Sequence, residues 1–94
     1  MNLKELKILK EDNRGVIYSC DKVNLIIRKI GSVGANHIHE IPEILYLTKG
    51  KIELTIGKET KIVKAPIKIS IESNIYHKVL ALSDIEIIED KDER

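Results

Sequence analysis

The chain has 94 residues, with 16 basic and 15 acidic side chains, three tyrosines and neither phenylalanine nor tryptophan. That length makes one domain with a modest core, burying little more than about 60% of its unfolded surface. Interspersed, nearly cancelling charge and so few aromatic rings exclude the basic or stacking surfaces that nucleic acids and acidic membranes require.

Residues 1–12 are ambiguous. Leu3, Leu6 and Leu9 make a helical stripe, whereas Leu6 and Ile8 also suit a short strand, and the balance falls slightly to strand. The segment has no signal-peptide apolar block, and no run in the chain approaches the roughly 20 residues of a membrane helix. With a lone cysteine, Cys20, no internal disulfide can form. A cytoplasmic protein is expected. Eighteen isoleucines, abundant Lys and Glu and no glutamine follow the compositional pattern of hyperthermophile proteins.

From Gly15 onward, short runs of Ile, Val, Leu and Tyr recur between turn residues at the spacing of an all-β sandwich or barrel. Val16–Cys20 and Val23–Ile30 flank a two-residue turn at Asp21-Lys22. Gly31 and Gly34 open a loop. Glu43–Thr48 and Lys51–Ile56 read as a hairpin about Lys49-Gly50, and Gly57-Lys58 plays the same part before Thr60–Val63. Ile67–Ile71, Ile75–Leu82 and Ile85–Glu89 follow, and residues 90–94 form a solvated tail. One domain is expected over 1–94, with its core in about 15–89.

Strand side chains alternate, so residues two apart share a face. His37 and His39 therefore point the same way, and His77 shares a face with Ile75, Val79 and Ala81. Three imidazoles in one small core are hard to satisfy without a common partner, and a divalent cation is such a partner. Taken singly, each histidine reads as an ordinary core or surface residue; the combination makes the case for metal. Ile44, Tyr46, Leu80 and Leu82 form a second apolar stripe on strands whose other face is also apolar. This predicts a homodimer packed through those four residues.

The stretch Gly31, His37, His39, Glu43, Gly50 keeps every spacing of the first motif of the cupin superfamily, and the chain resembles that family over roughly Gly15 to Glu89. The second motif is degenerate: His77 fits, but Pro66, Glu72, Asn74 and Ala81 stand where the family has Gly, Pro, Gly and Asn. Asn tolerates positive φ, so Asn74 can keep the turn. The resemblance implies a double-stranded β-helix or jelly-roll barrel. It also implies a metal held by His37, His39, Glu43 and His77. Glu40 is the rival carboxylate, expected to point outward because it adjoins His39 in a strand.

Three imidazoles and a carboxylate suit Fe, Mn, Ni, Cu or Zn as the divalent ion. The mostly aliphatic interior suits a small, partly apolar ligand. Two functions follow: a metal-dependent enzyme, dioxygenase-like or metal-assisted, acting on a small organic substrate, or a non-catalytic sensor or carrier. Arg28 can contact a substrate carboxylate or make a solvent-facing ion pair, with the ion pair the commoner role. Tyr18 reads as a substrate contact or a packing residue, Tyr76 as a packing or interface residue, and Cys20 as a small buried side chain.

Overall fold

The computed structural model describes residues 1–90, apart from the side chains of residues 35–37. Ten strands are formed: β1 (Lys7–Asp12), β2 (Gly15–Cys20), β3 (Val23–Arg28), β4 (Val33–Ile38), β5 (Glu43–Lys49), β6 (Lys51–Ile56), β7 (Glu59–Lys64), β8 (Ile67–Ile71), β9 (Tyr76–Ala81) and β10 (Ile85–Asp90). The N-terminal segment is thus a strand from Lys7, and Asp90 belongs to β10 and not to the tail. The rest of the expected tail lies outside the described residues.

The strands make two antiparallel sheets, ordered β1-β2-β3-β10-β5-β8 and β4-β9-β6-β7. After the β1-β2-β3 meander, nearly every connection carries the chain from one sheet to the other. This alternation of sheets by successive strands is the double-stranded β-helix, and the all-β expectation holds. Among the described residues there is no helix long and apolar enough to cross a membrane.

Two local expectations need correction. Lys49-Gly50 is not a hairpin: β5 and β6 lie in different sheets, so the glycine turns a corner between them. Positive φ at Gly50 (93°) marks a sharp bend, but it does not say where the next strand lands. Gly57-Lys58, by contrast, joins a paired hairpin, with Ile56 opposite Glu59. Gly34 lies within β4, opposite Val79 of β9, and not in a loop. The β4–β9 register shifts between Gly34 and His37, and the missing side chain opens space beside the strand.

Alternation decides which side chains are buried. Leu45, Leu47, Ile69, Ile71, Ile85 and Ile87 on one sheet meet Ile52, Leu54, Val79 and Ala81 on the other, and this is the core. Leu47 and Ile52 are fully buried, each contributing about 1.5–3 kcal/mol by removal from water. On the outer face of the six-stranded sheet, the register aligns Ile8, Tyr18, Leu25, Ile88 and Tyr46 in one row across five strands. These side chains remain half-exposed or exposed. Ile44 and Tyr46 belong to this face, whereas Leu80 is on the outer face of the other sheet, opposite Val33 and Glu53. Of the four residues expected to form one interface, Ile44 and Tyr46 are thus on one sheet, Leu80 is on the other, and Leu82 follows the end of β9.

Candidate metal centre

His77 lies on β9, sharing the inward face with Val79 and Ala81, and its side chain is 1% exposed. Glu43 opens β5, opposite Ile71. His39 follows the last residue of β4, where the backbone is tied to the next connection by Asn74 N–H donating to the His39 carbonyl (2.6 Å). Asn74 has φ 62°, the positive value expected of a residue in place of the second motif's glycine.

These elements bring His39, Glu43 and His77 together, one ligand atom from each lying within 4.8 Å of the others. His39 Nε2 is 2.9 Å from Glu43 Oε1, and His77 Nε2 is 3.3 Å from Glu43 Oε2. The two imidazole rings are 5.3 Å apart, centroid to centroid, and inclined by 31°. The cluster grades from buried His77 to a 41% exposed His39, so it opens toward solvent on one side.

One contact fixes the chemistry of His77. Its Nδ1–H donates to the Ile75 carbonyl (3.3 Å), since a carbonyl oxygen can only accept. In the neutral ring this tautomer leaves Nε2 as a lone pair facing the Glu43 carboxylate. Two acceptors at that separation repel unless a proton or a cation lies between them. The donor set, two imidazole nitrogens and a carboxylate, fits a divalent transition metal. An outer hydrogen bond on a ligand histidine is the usual way to orient its ring.

His37 is placed by its backbone alone. It pairs with His77 in the β4–β9 ladder, and its expected ligand role concerns a side chain outside the described residues. Glu40 is exposed and does not join the cluster, as alternation anticipated.

Two members of the cluster, His39 and Glu43, line a cavity of about 260 Å³ between the sheets, with Gly34, Ser32 and Arg28 also on its wall. Its apolar lining is Ile17, Ile26, Leu45, Val79, Ile85 and Ile87. The volume falls below the roughly 300–1,000 Å³ of sites for drug-sized ligands, which suits a small molecule. Arg28 faces inward, so its commoner expected role, a solvent-facing ion pair, is not what the fold gives it. Burial lowers the Arg28 pKa, the nearby Arg14 guanidinium adds to this, and Asp12 opposes it. Asp12 itself is held by Arg14 at 2.9 Å, which lowers its carboxyl to about 2.

Glu89 also lines the cavity and accepts a hydrogen bond from Asn24 Nδ2 (2.9 Å). Sequence reasoning missed this carboxylate, although the signal was there: Glu89 shares a face with Ile85 and Ile87 and interrupts an apolar stripe. Tyr76 is exposed, and Tyr18 lies in the outer apolar row, so neither reaches the cavity.

No protein-family model matches the chain, and neither does any curated protein sequence. Solved structures do. The capsular polysaccharide assembling protein CapF of Staphylococcus aureus aligns with TM-score 0.79 at 20% identity, over 94% of this chain and 28% of CapF. An RmlC-like cupin with a double-stranded β-helix fold from Methanocaldococcus jannaschii aligns with TM-score 0.69 at 18% identity, over 96% of this chain and 91% of that one. A salicylate 1,2-dioxygenase variant from Pseudoaminobacter salicylatoxidans aligns with TM-score 0.67 at 10% identity, over 78% of this chain and 20% of that one. The chain spans less than a third of the CapF length. At such identities the likeness shows the fold alone: the chain has the double-stranded β-helix architecture that these cupins share.

Proposed function

We propose that this cupin holds one divalent transition metal through His39, Glu43 and His77, with His37 as the fourth ligand, and binds a small organic molecule in the adjoining cavity. The observation that carries the reading is the buried Nε2 of His77 turned toward Glu43 Oε2 at 3.3 Å while Nδ1 is engaged by the Ile75 carbonyl. A bound metal would supply Lewis-acid activation of an oxygen ligand. Around it, Ile75 orients His77, Glu43 joins both imidazoles, and the apolar wall excludes water from the ligand's body. Arg28 serves as a substrate contact.

The test is elemental analysis of the purified protein beside a His37→Ala, His77→Ala double variant. We expect about one equivalent of Fe, Mn, Ni, Cu or Zn in the first and background in the second. Equal, negligible metal in both, after reloading with each ion, overturns the reading.

Dioxygenase-like or metal-assisted turnover of a small organic substrate is the function proposed first. The aliphatic character of most of the cavity wall supports the second, a non-catalytic sensor or carrier. Oxygen consumption by the Fe(II)-loaded protein with a panel of dioxo compounds and catechols separates them: turnover favours the enzyme, and saturable binding without turnover the carrier.

We place the protein in the cytoplasm as a single domain and a homodimer. The outer row of Ile8, Tyr18, Leu25, Ile88 and Tyr46 supports the dimer better than Leu80 and Leu82 do, because it lies on one sheet. Sedimentation equilibrium at micromolar concentration is expected to give twice the chain mass, and Tyr46→Glu to give the monomer. A monomeric wild-type mass would remove the dimer.

A further inference from the structure

Arg28 is a charged side chain on a face otherwise given to the core. It follows Asn24 and Ile26 on the inner face of β3 and stands opposite Ile85, one of the most deeply buried core residues. Its guanidinium forms no hydrogen bond or ion pair with any described residue. Asp12, the carboxylate that acts on it electrostatically, is already engaged by Arg14, whose backbone N–H donates to Oδ1 and whose guanidinium donates to Oδ2. Glu89, the other carboxylate on the cavity wall besides Glu43, is turned to Asn24. A partly buried guanidinium facing a cavity, with five donors and no protein anion to meet them, is met by water until a ligand anion replaces it.

The register locates this cation relative to the metal cluster. Glu43, Leu45 and Leu47 succeed one another on the inner face of β5. Leu47 is opposite Ile87, and Ile85 lies two residues further along β10, opposite Arg28. The backbone levels of Glu43 and Arg28 are thus separated by roughly 20 Å of strand, which the two side chains shorten from either end. Between them the wall is Leu45, Ile87, Ile26 and Val79, together with Glu89, which stands opposite Leu45 and is turned to Asn24.

We propose that the cavity takes a small monocarboxylate with an elongated apolar body, its carboxylate held by Arg28 and its far end directed at His39, Glu43 and His77. A planar guanidinium matches a carboxylate bidentately. The apolar walls suit an aliphatic or aryl body, and with a single unengaged guanidinium a phosphate dianion would be left undercompensated. This rests on the reading of the cavity as the ligand site, but it does not require the metal, because Arg28 lies at the opposite end.

The test is calorimetric titration of the full chain with octanoate, alongside octanol, octanamide and inorganic phosphate, with metal content measured in the same samples. Octanoate is expected to bind at one site, and the neutral analogues and phosphate about tenfold or more weakly, the scale of a lost charge-assisted hydrogen bond. Arg28→Gln should impose the same loss, and Arg28→Lys a smaller one.

Gly34→Leu gives an independent block from the other sheet. A Cβ at Gly34 meets no atom within 4 Å, and the glycine lines the cavity, so the leucine fills ligand space. It should abolish binding while leaving the circular dichroism spectrum and metal content unchanged. His77→Ala should lose metal yet still bind octanoate, which separates failure of the metal reading from failure of this one. Octanol binding as tightly as octanoate, or undiminished affinity in Arg28→Gln, overturns the proposal.

Discussion

Stripping the proposed metal with a chelator should lower the melting temperature by about 10–20 °C relative to protein held at about a hundred times the metal's Kd. A ligand that binds only the folded chain at that ratio stabilises it by about 2.7 kcal/mol. In a domain of this size each kcal/mol moves the midpoint by about 4–8 °C. His77→Ala should erase the difference. It leaves Glu43 with His39 as its only described imidazole partner, and removes the buried ligand whose orientation Ile75 sets. The variant also opens a cavity where a fully buried ring stood, so its absolute midpoint falls for reasons unrelated to metal. The informative quantity is the shift between loaded and chelated samples within each protein. The shift should also vanish as the pH falls through about 6, because imidazole must lose its proton to ligate. A midpoint unaffected by chelation in the wild type, with metal demonstrably present beforehand, would place that metal outside the fold.

Alternation carried most of what could be read without coordinates. Period-two spacing put Ile52 and Leu54, and Ile69 and Ile71, on buried faces, because a strand with one apolar stripe has only one side to bury. The family resemblance grouped His37, His39, Glu43 and His77 although His77 is distant in sequence, and the fold brings the side chains of His39, Glu43 and His77 together among the described residues. Pairing between sheets was not legible. Nothing local distinguishes a glycine that folds a strand back on itself from one that sends the chain across to the facing sheet. Lys49-Gly50 and Gly57-Lys58 look alike as sequence and differ in topology. The same ignorance of sheet membership merged Ile44 and Tyr46 with Leu80 and Leu82 into one surface. Glu89 was hidden, and Arg28 was weighted toward a solvent-facing ion pair, for another reason: a charge on an inward position is the exception to alternation, and an exception has a place only once the cavity that accommodates it is known.

Gly50→Ala should destabilise the protein by about 2–5 kcal/mol, one of the largest effects of any single methyl added to this chain. Two costs combine there. Its φ of 93° is a conformation an L side chain enters only with strain, of order 1–2 kcal/mol. A Cβ would also press on the Asp84 carbonyl oxygen and come within 2.7 Å of Ser83 Oγ and 2.8 Å of Ile85 Cγ2. Overpacking of this kind costs about 1–3 kcal/mol. Neither neighbour can yield freely. Ser83 Oγ accepts from the Lys51 N–H at 3.0 Å, and Ile85 is a core residue opposite Arg28. The corner from β5 to β6 therefore packs on the corner from β9 to β10, and a methyl at one displaces the other together with the cavity wall it carries. Gly34→Ala is the control, since φ there is not positive and the added carbon meets open space. It should be neutral or stabilising by up to about 1 kcal/mol, through reduced freedom of the unfolded chain. Denaturant midpoints for the two variants decide the matter: similar losses at Gly34 and Gly50 would show that the packed corner is not what requires glycine at residue 50.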